Sequence, residues 1–493
     1  MARKVAMMEY LGPDPVKAFA RLEEAVGGDE IAQWYFKQLS GELSRPETQW
    51  ISGIGQGLRS AVSATMLGKL PVSMISDIGY STVTAIQAGM KADQVVSHIF
   101  KQVATLGQYL GKGGNKDLAA QMLLETNHII ESAQLLHRFG DLSGPSTSIA
   151  WLANLTMKAT GAENMDIAAR VNFGLSMSRV LAEGIEGKLG RKFNTLMERY
   201  NISTDDMAKV KGAIENQDGI RRLNPSKIDD PFLQEKFIGI VQAEMESAVP
   251  TASVRTQAAT AMGQARGTAA GELTRTFGTF KSFAANVVFN HLTRGWKARN
   301  YNNKWAGRAE YFGMMAATLV PLGVLSVVLS DMLDGKKPVN PLTAKGEHSW
   351  DLIKRGIRKS GTGGIFLDFL SLDYNSPFSG SPSLEFLAGP GVTLVADSWD
   401  DIWSTMQYTK DGELGKAYKK ASKTGIKLGG MALTPSNFWY SKLLFDRLVE
   451  DQFKDMADPN YRRNVQRSSR RLRKDTGQEY WWDKGESRPE FLQ

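Results

Sequence analysis

Tyr311-Phe-Gly-Met-Met-Ala-Ala-Thr-Leu-Val-Pro-Leu-Gly-Val-Leu-Ser-Val-Val-Leu-Ser330 is an unbroken run without a charged residue. As an α-helix rising about 1.5 Å per residue it would be roughly 30 Å long, the hydrocarbon thickness of a bilayer. Pro321 and Gly323 stand at its middle, and membrane helices tolerate both better than soluble helices do. Tyr311, Leu319, Pro321, Leu322, Val328 and Ser330 therefore define a candidate membrane segment. The competing reading is a fully buried core helix kinked at its proline. Length favours the bilayer, whereas a single such run in a long polar chain favours the core. Arg308 before it and Lys336–Lys337 after it are all cationic, so the flanking charges do not orient it.

Outward from this run the period stays helical. Asp14-Pro15 followed by Val16, Phe19, Leu22 and Val26 reads as an N-cap, a proline at the first helical position and an apolar stripe, closed by Gly27–Gly28. Ala119 to Phe139 and Asp166 to Tyr200 repeat the period, and Ser203-Thr-Asp-Asp206 reads as a capping box. No alternating strand pattern stands out before Ser360. The expected fold is all-α: an extended, multi-domain helical chain with loop-rich insertions and one apolar helix, transmembrane or buried. Composition shifts suggest an N-terminal helical domain (1–145), a second helical domain (146–230), a glycine-packed part with the apolar run (231–335), a loop-rich part (336–450) and a basic tail (451–493). Linkers fall at Gly140–Ser148, Asn216–Asp230 and Asp334–Ser349.

The chain of 493 residues is long enough to bury a core without staples, and its apolar and charged contents, 42% and 23%, are those of a globular protein. The absence of cysteine removes thiol nucleophiles, disulfides and cysteine-held metal centres together. A net charge of +8 hints at nucleic acid or an anionic membrane. Catalytic patterns are missing. The five histidines (His98, His128, His137, His291 and His348) form no metal spacing. Gly53-Ile-Gly-Gln-Gly57 lacks the dinucleotide spacing, and Gly111 to Gly114 lacks that of a phosphate loop. Asp205–Asp206 and Asp229–Asp230 read as charges at helix N-termini rather than acid/base pairs. No catalytic residue, cofactor or metal is therefore expected.

Three constellations say more. Ala259, Gly263, Gly267 and Gly271 place a small residue at every fourth position, which on one helix would let another backbone approach closely. Phe277, Phe280 and Phe283 follow, flanked by Arg275 and Lys281, as a stripe for a core or an interface. The tail carries Arg462, Arg463, Arg467, Arg470, Arg471, Arg473 and Lys474 with no acid between Tyr461 and Lys474, then Tyr480-Trp-Trp482. Arginines three or four apart make a cationic helix face suited to phosphates. The aromatics would stack on bases, sit at a membrane interface or pack onto the protein itself. A second basic stretch, Arg294, Lys297, Arg299, Lys304 and Arg308, adjoins the apolar run.

Four of these blocks resemble the internal virion, or DNA-ejection, proteins of short-tailed bacteriophages, which also occur within large polyvalent phage proteins. They are Gly57-Leu-Arg-Ser-Ala-Val-Ser-Ala-Thr-Met-Leu-Gly68 leading into Ile75-Ser-Asp-Ile78; Arg266-Gly-Thr-Ala-Ala-Gly-Glu-Leu-Thr-Arg275 with Phe280-Lys-Ser-Phe283; the apolar run; and Asp458-Pro-Asn-Tyr461 with Glu479-Tyr-Trp-Trp482. Ala284 stands where the family often has proline, and no peptidoglycan-cleaving domain is recognisable. The resemblance implies a structural protein held in the virion interior. It would leave with the genome and assemble in the host periplasm or inner membrane as a ring homo-oligomer. Its partners would be other phage ejection proteins, double-stranded DNA without sequence specificity, and the envelope membrane. The alternatives are a muralytic or nucleic-acid-processing virion enzyme and a soluble internal scaffold.

Overall fold

The computed structural model describes residues 11–53, 70–100, 158–250, 254–278, 286–298, 303–341, 347–360 and 438–489, less single positions within them, and isolated residues elsewhere. They are mostly helical: α1 (Pro15–Val26), α2 (Glu30–Ser40), α3 (Asp77–Gln87), α4 (Ala162–Ile185), α5 (Arg191–Arg199), the hairpin β1 (Ile214–Gln217) and β2 (Ile220–Leu223), α6 (Pro231–Ala248), α7 (Val254–Ala261), α8 (Ala269–Gly278), α9 (Lys304–Leu333), α10 (Glu347–Lys359) and α11 (Tyr461–Thr476). The expected caps are in place. The Asp14 side chain accepts from Lys17 N, and Gly27 closes α1 at φ +87°. Ser203 and Asp206 form the reciprocal capping box, and Asp230 caps α6 ahead of Pro231. Each satisfies N–H groups that a helix start leaves without partners.

Two local expectations are corrected. The helical stretch expected from Asp166 to Tyr200 is two helices, because Gly187 turns the chain at φ +74° between α4 and α5. The linker expected at 216–230 instead begins in a hairpin pairing Ile214 with Leu223 and Gln217 with Ile220. Gly219, at φ +76°, lies in its turn, and the connection between Gln217 and Ile220 is two residues long, the length favoured by the twist of paired strands.

The main core gathers Phe173, Leu181, Phe193, Leu196, Leu223, Phe237 and Ile240, from α4, α5, β2 and α6, around Ala85 and Ala88 at the end of α3. It crosses the boundaries expected at 145 and 230. α3 is buried along most of its length. Its hydroxyls are satisfied within the fold: Thr82 and Thr84 donate to Ile78 O and Tyr80 O, and the Tyr80 hydroxyl donates to Ser360 O at 2.9 Å. Gly79 lets α9 come close, since a Cβ there would lie 2.5 Å from Leu319 Cδ2.

The four-spaced small residues are not one helix. α7 ends at Ala261, and Met262 (φ +49°), Gly263 (φ +68°) and Gly267 (φ +77°) turn the chain before α8. Thr268 caps α8 by accepting from Gly271 N at 2.9 Å. Close approach is nevertheless real: a Cβ would lie 2.4 Å from Trp34 Nε1 at Gly263, 2.6 Å from Thr48 O at Gly267 and 1.8 Å from Ala265 O at Gly271. Glycine serves this turn through positive φ and proximity to backbone, not through helix–helix packing. Ala259 lies within α7, partly buried.

Candidate membrane and phosphate interface

α9 has two unlike faces. Gly307, Tyr311, Met315, Leu319, Gly323, the adjacent Ser326 and Val327, and Asp331 are buried at helical three- or four-residue steps, a single stripe along the helix. Tyr311, Met315 and Leu319 close a core cluster with Tyr80, Val83 and Val287. Nearer the C-terminus Gly323 meets Gly356 of α10 so tightly that a Cβ on Gly323 would lie 2.1 Å from Gly356 O. The other face is apolar and open: Ala316, Ala317, Pro321, Leu325 and Met332 are exposed, Leu325 by 44%. Leu322, Val328 and Ser330 are half-buried between the faces. Only 28% of the most apolar stretch is buried, at a mean hydropathy of 2.1. Among the described residues the helix is therefore buried along one stripe only, and Tyr311 and Leu319 face the protein's own core. Pro321 lies on the open side, so the carbonyl it leaves unbonded one turn back belongs to exposed Ala317.

Aromatic and cationic groups border this face. At the N-terminal end the Arg308 guanidinium lies 4.1 Å from the Trp296 ring and 5.2 Å from that of Trp305, and its Nε donates to Trp296 O at 2.9 Å. Both indoles are open to solvent, by 61% and 74%, with exposed Lys297 and Lys304 near them. Around the C-terminal end, Trp350 is 57% exposed, with Lys354 Nζ 5.7 Å from its ring, and the Trp481 indole donates to Met332 O at 3.1 Å. From Trp305 to Met332 the helix is about 40 Å long, close to a hydrocarbon core plus its two interfaces.

Arg294 belongs elsewhere, which corrects its place in a phosphate-facing stretch. It pairs at 2.7 Å with Glu244, which is almost fully buried and also holds Arg199 at 3.3 Å and accepts from the Tyr200 hydroxyl at 2.8 Å. Burial alone would raise the Glu244 carboxyl, but the two guanidinium groups and the phenol hold it below its ordinary range. His291, in a π-helical turn over Val288–Leu292, lies beside this cluster. Its Nε2–H donates to Ser247 O at 2.7 Å, so Nδ1 accepts from the Tyr311 hydroxyl at 3.0 Å. Burial pushes its pKa down to about 4. The unfolded chain therefore binds more protons between about pH 4 and 6.5, and stability falls as pH drops through that window, by about 3 kcal/mol in all. Urea midpoints measured from pH 7 to 4.5 will show this slope, and His291→Gln will flatten it at the cost of a lower plateau.

α11 carries the basic run of the tail. Arg462, Arg463, Arg467, Arg470, Arg471, Arg473 and Lys474 are all exposed. Arg462 pairs with Asp455 at 3.0 Å and Arg473 with Glu479 at 2.8 Å; the others have no acidic partner among the described residues. The aromatic ending is not free to stack on bases. Tyr480 and Trp482 are buried, Trp481 N and Lys337 N bond Gly335 O at 2.8 Å and Glu479 O at 2.6 Å, and Gln478 Nε2 donates to Asp331 Oδ2 at 2.7 Å. The tail is thus fastened to the C-terminal end of α9.

No family model, curated protein or solved structure matches the chain. Arg59, the described residue of the 57–68 block, meets the Arg266–Arg275 block. Arg59, fully buried, pairs with Glu272 at 2.6 Å. Arg266 donates to Ser52 Oγ and Gln56 Oε1, at 2.8 and 3.0 Å, and Arg275 donates to Leu43 O at 2.6 Å. Arg299, Phe280, Phe283 and the 119–139 pattern lie outside the described residues. Among the described residues no three His, Asp or Glu side chains converge as a metal site would require. The Trp296–Arg308–Trp305 stack was missed in the sequence because Trp296 and Arg308 belong to two successive helices, so no single helical period aligns them; two tryptophans flanking a cationic stretch were the available signal.

Proposed function

We propose that the chain is a structural component of a phage DNA-ejection apparatus, carried in the virion and assembling in the host envelope as a homo-oligomeric conduit for the genome. The observation that carries this reading is the open apolar face of α9, bounded at both ends by tryptophan and cations. Tryptophan favours the water–hydrocarbon boundary, and lysine and arginine favour anionic headgroups. The exposed cations of α11 supply sequence-independent phosphate contact. The resemblance of the motif blocks points the same way.

Flotation with anionic liposomes tests the membrane half. A carboxylate at the middle of the open face costs about 2.5–3.5 kcal/mol in a bilayer, so Leu325→Asp will lower the liposome partition coefficient about a hundredfold while leaving the circular dichroism unchanged. Wild-type protein that stays with the soluble fraction would favour the internal-scaffold reading instead. Salt titration tests the DNA half. Arg470→Glu with Arg471→Glu removes two phosphate contacts and will reduce the slope of log K against log salt by about 2 on any duplex sequence. Electron microscopy of detergent-solubilised protein, looking for rings with a lumen wide enough for duplex DNA, tests the assembly.

A further inference from the structure

A cavity of about 70 Å³ lies between α4, the helical segment 93–100 and β2, away from both α9 and α11. Its lining includes Gln94, His98, Asn172, Ser176, Arg179 and Arg222. It is donor-rich, and no carboxylate lines it. Glu183, bonded to two lining residues, is already engaged: Gln94 Nε2 donates to both its oxygens at 2.9 and 3.0 Å, and Arg179 Nε bonds it at 2.8 Å. His98 is fixed between two hydroxyls, Ser81 Oγ and Ser176 Oγ, each at 3.0 Å. Glu183 and Ser81, outside the lining, thereby help to hold the wall in place.

Two amide atoms of the lining are left over. Gln94 is 7% exposed, and its Oε1 is buried without a protein partner; Asn172 Nδ2 is likewise buried and unbonded. Groups of this kind cost free energy unless a ligand or water completes them. One is an acceptor needing a donor and the other a donor needing an acceptor, beside two guanidinium groups. An oxyanion that keeps a proton meets all of these at once: its charged oxygens accept from Asn172 and the arginines, and its hydroxyl donates to Gln94 Oε1.

We infer that this cavity is a phosphate site, selective for hydrogen phosphate over sulfate. Sulfate has the same shape and charge at neutral pH but no proton to give to Gln94. The site is independent of the membrane and DNA interfaces.

The test is calorimetric titration of the full-length chain with inorganic phosphate and with sulfate at matched ionic strength and pH 7. Phosphate is expected to bind at least tenfold more tightly. Asn172→Asp keeps the shape of the side chain, sacrifices no protein hydrogen bond of Nδ2, and sets a negative charge against the ligand. It is expected to weaken phosphate at least tenfold with an unchanged unfolding midpoint in phosphate-free buffer. If that variant unfolds, Arg179→Met is titrated in its place, with the same loss expected. A glycerol phosphate arm separates the sources: tighter binding than inorganic phosphate marks an esterified phosphate as the ligand, and weaker binding marks the free ion. Equal affinity for phosphate and sulfate, or variants that bind phosphate as the wild type does, overturns the site.

Discussion

Gly323→Leu is expected to lower the stability of the fold by about 3 kcal/mol or more and to pull α10 away from α9. Overpacking a core costs about 1–3 kcal/mol when neighbouring side chains can yield. Here the atom in the way is a backbone oxygen, Gly356 O, 2.1 Å from where the new Cβ would stand. The reciprocal Gly356→Leu meets Val324 N at 2.9 Å and Val324 Cγ2 at 2.5 Å, so it should behave alike. Separation would also strain the Arg355–Asp331 pair at 2.6 Å. Urea unfolding gives the magnitude, and limited proteolysis between Asp334 and Glu347 reports the detachment. Gly313→Ala is the control: nothing lies within 4 Å of that position, so alanine should stabilise α9 by about 1 kcal/mol. A Gly323→Leu protein as stable as the control would show that the two helices do not cross as described.

Glu272→Ala is the second large effect, about 3–5 kcal/mol. Removing one partner of a buried ion pair strands the other charge. Arg59 is fully buried, and its Nε and Nη2 have no protein partner, so Glu272 provides its compensation. Glu272 Oε1 also accepts from Gly267 N at 2.9 Å, holding the turn between α7 and α8. Chemical denaturation with circular dichroism measures the loss. The double variant Arg59→Met with Glu272→Met should recover much of it, because an apolar pair of similar volume replaces a costly buried charge pair. A loss below about 1 kcal/mol for Glu272→Ala would mean that the pair is not buried as described.

What was legible in the sequence was local. The caps at Asp14, Ser203 and Asp230 could be read because a capping side chain acts on N–H groups two or three residues away. The apolar helix could be read because its run is long and uncharged. Which of its faces is covered could not, since Tyr80, Val83 and Gly356 come from distant parts of the chain. The stripe at 259–271 misled because a four-residue spacing fits a helix as readily as it fits a turn; positive φ at Met262, Gly263 and Gly267 is a tertiary outcome. Asp218-Gly219 is a hairpin signal in the sequence, but the polar Asn216 and Gln217 beside it mask the strand pattern. Of the basic residues near the apolar run, Arg294 went inward because Glu244 needed a partner, and nothing nearby in sequence announces that demand.

The fastening of α11 to the end of α9 gives the molecule a polarity that its linear order hides. Arg308 and Lys336–Lys337 balance each other along the chain. In the folded protein a whole cationic helix is rooted beside Asp331 and Gly335, through Gln478 and Trp481. The two ends of the apolar helix are thus electrically unequal. If the proposed membrane role holds, a bilayer with one anionic leaflet would give that inequality a preferred direction.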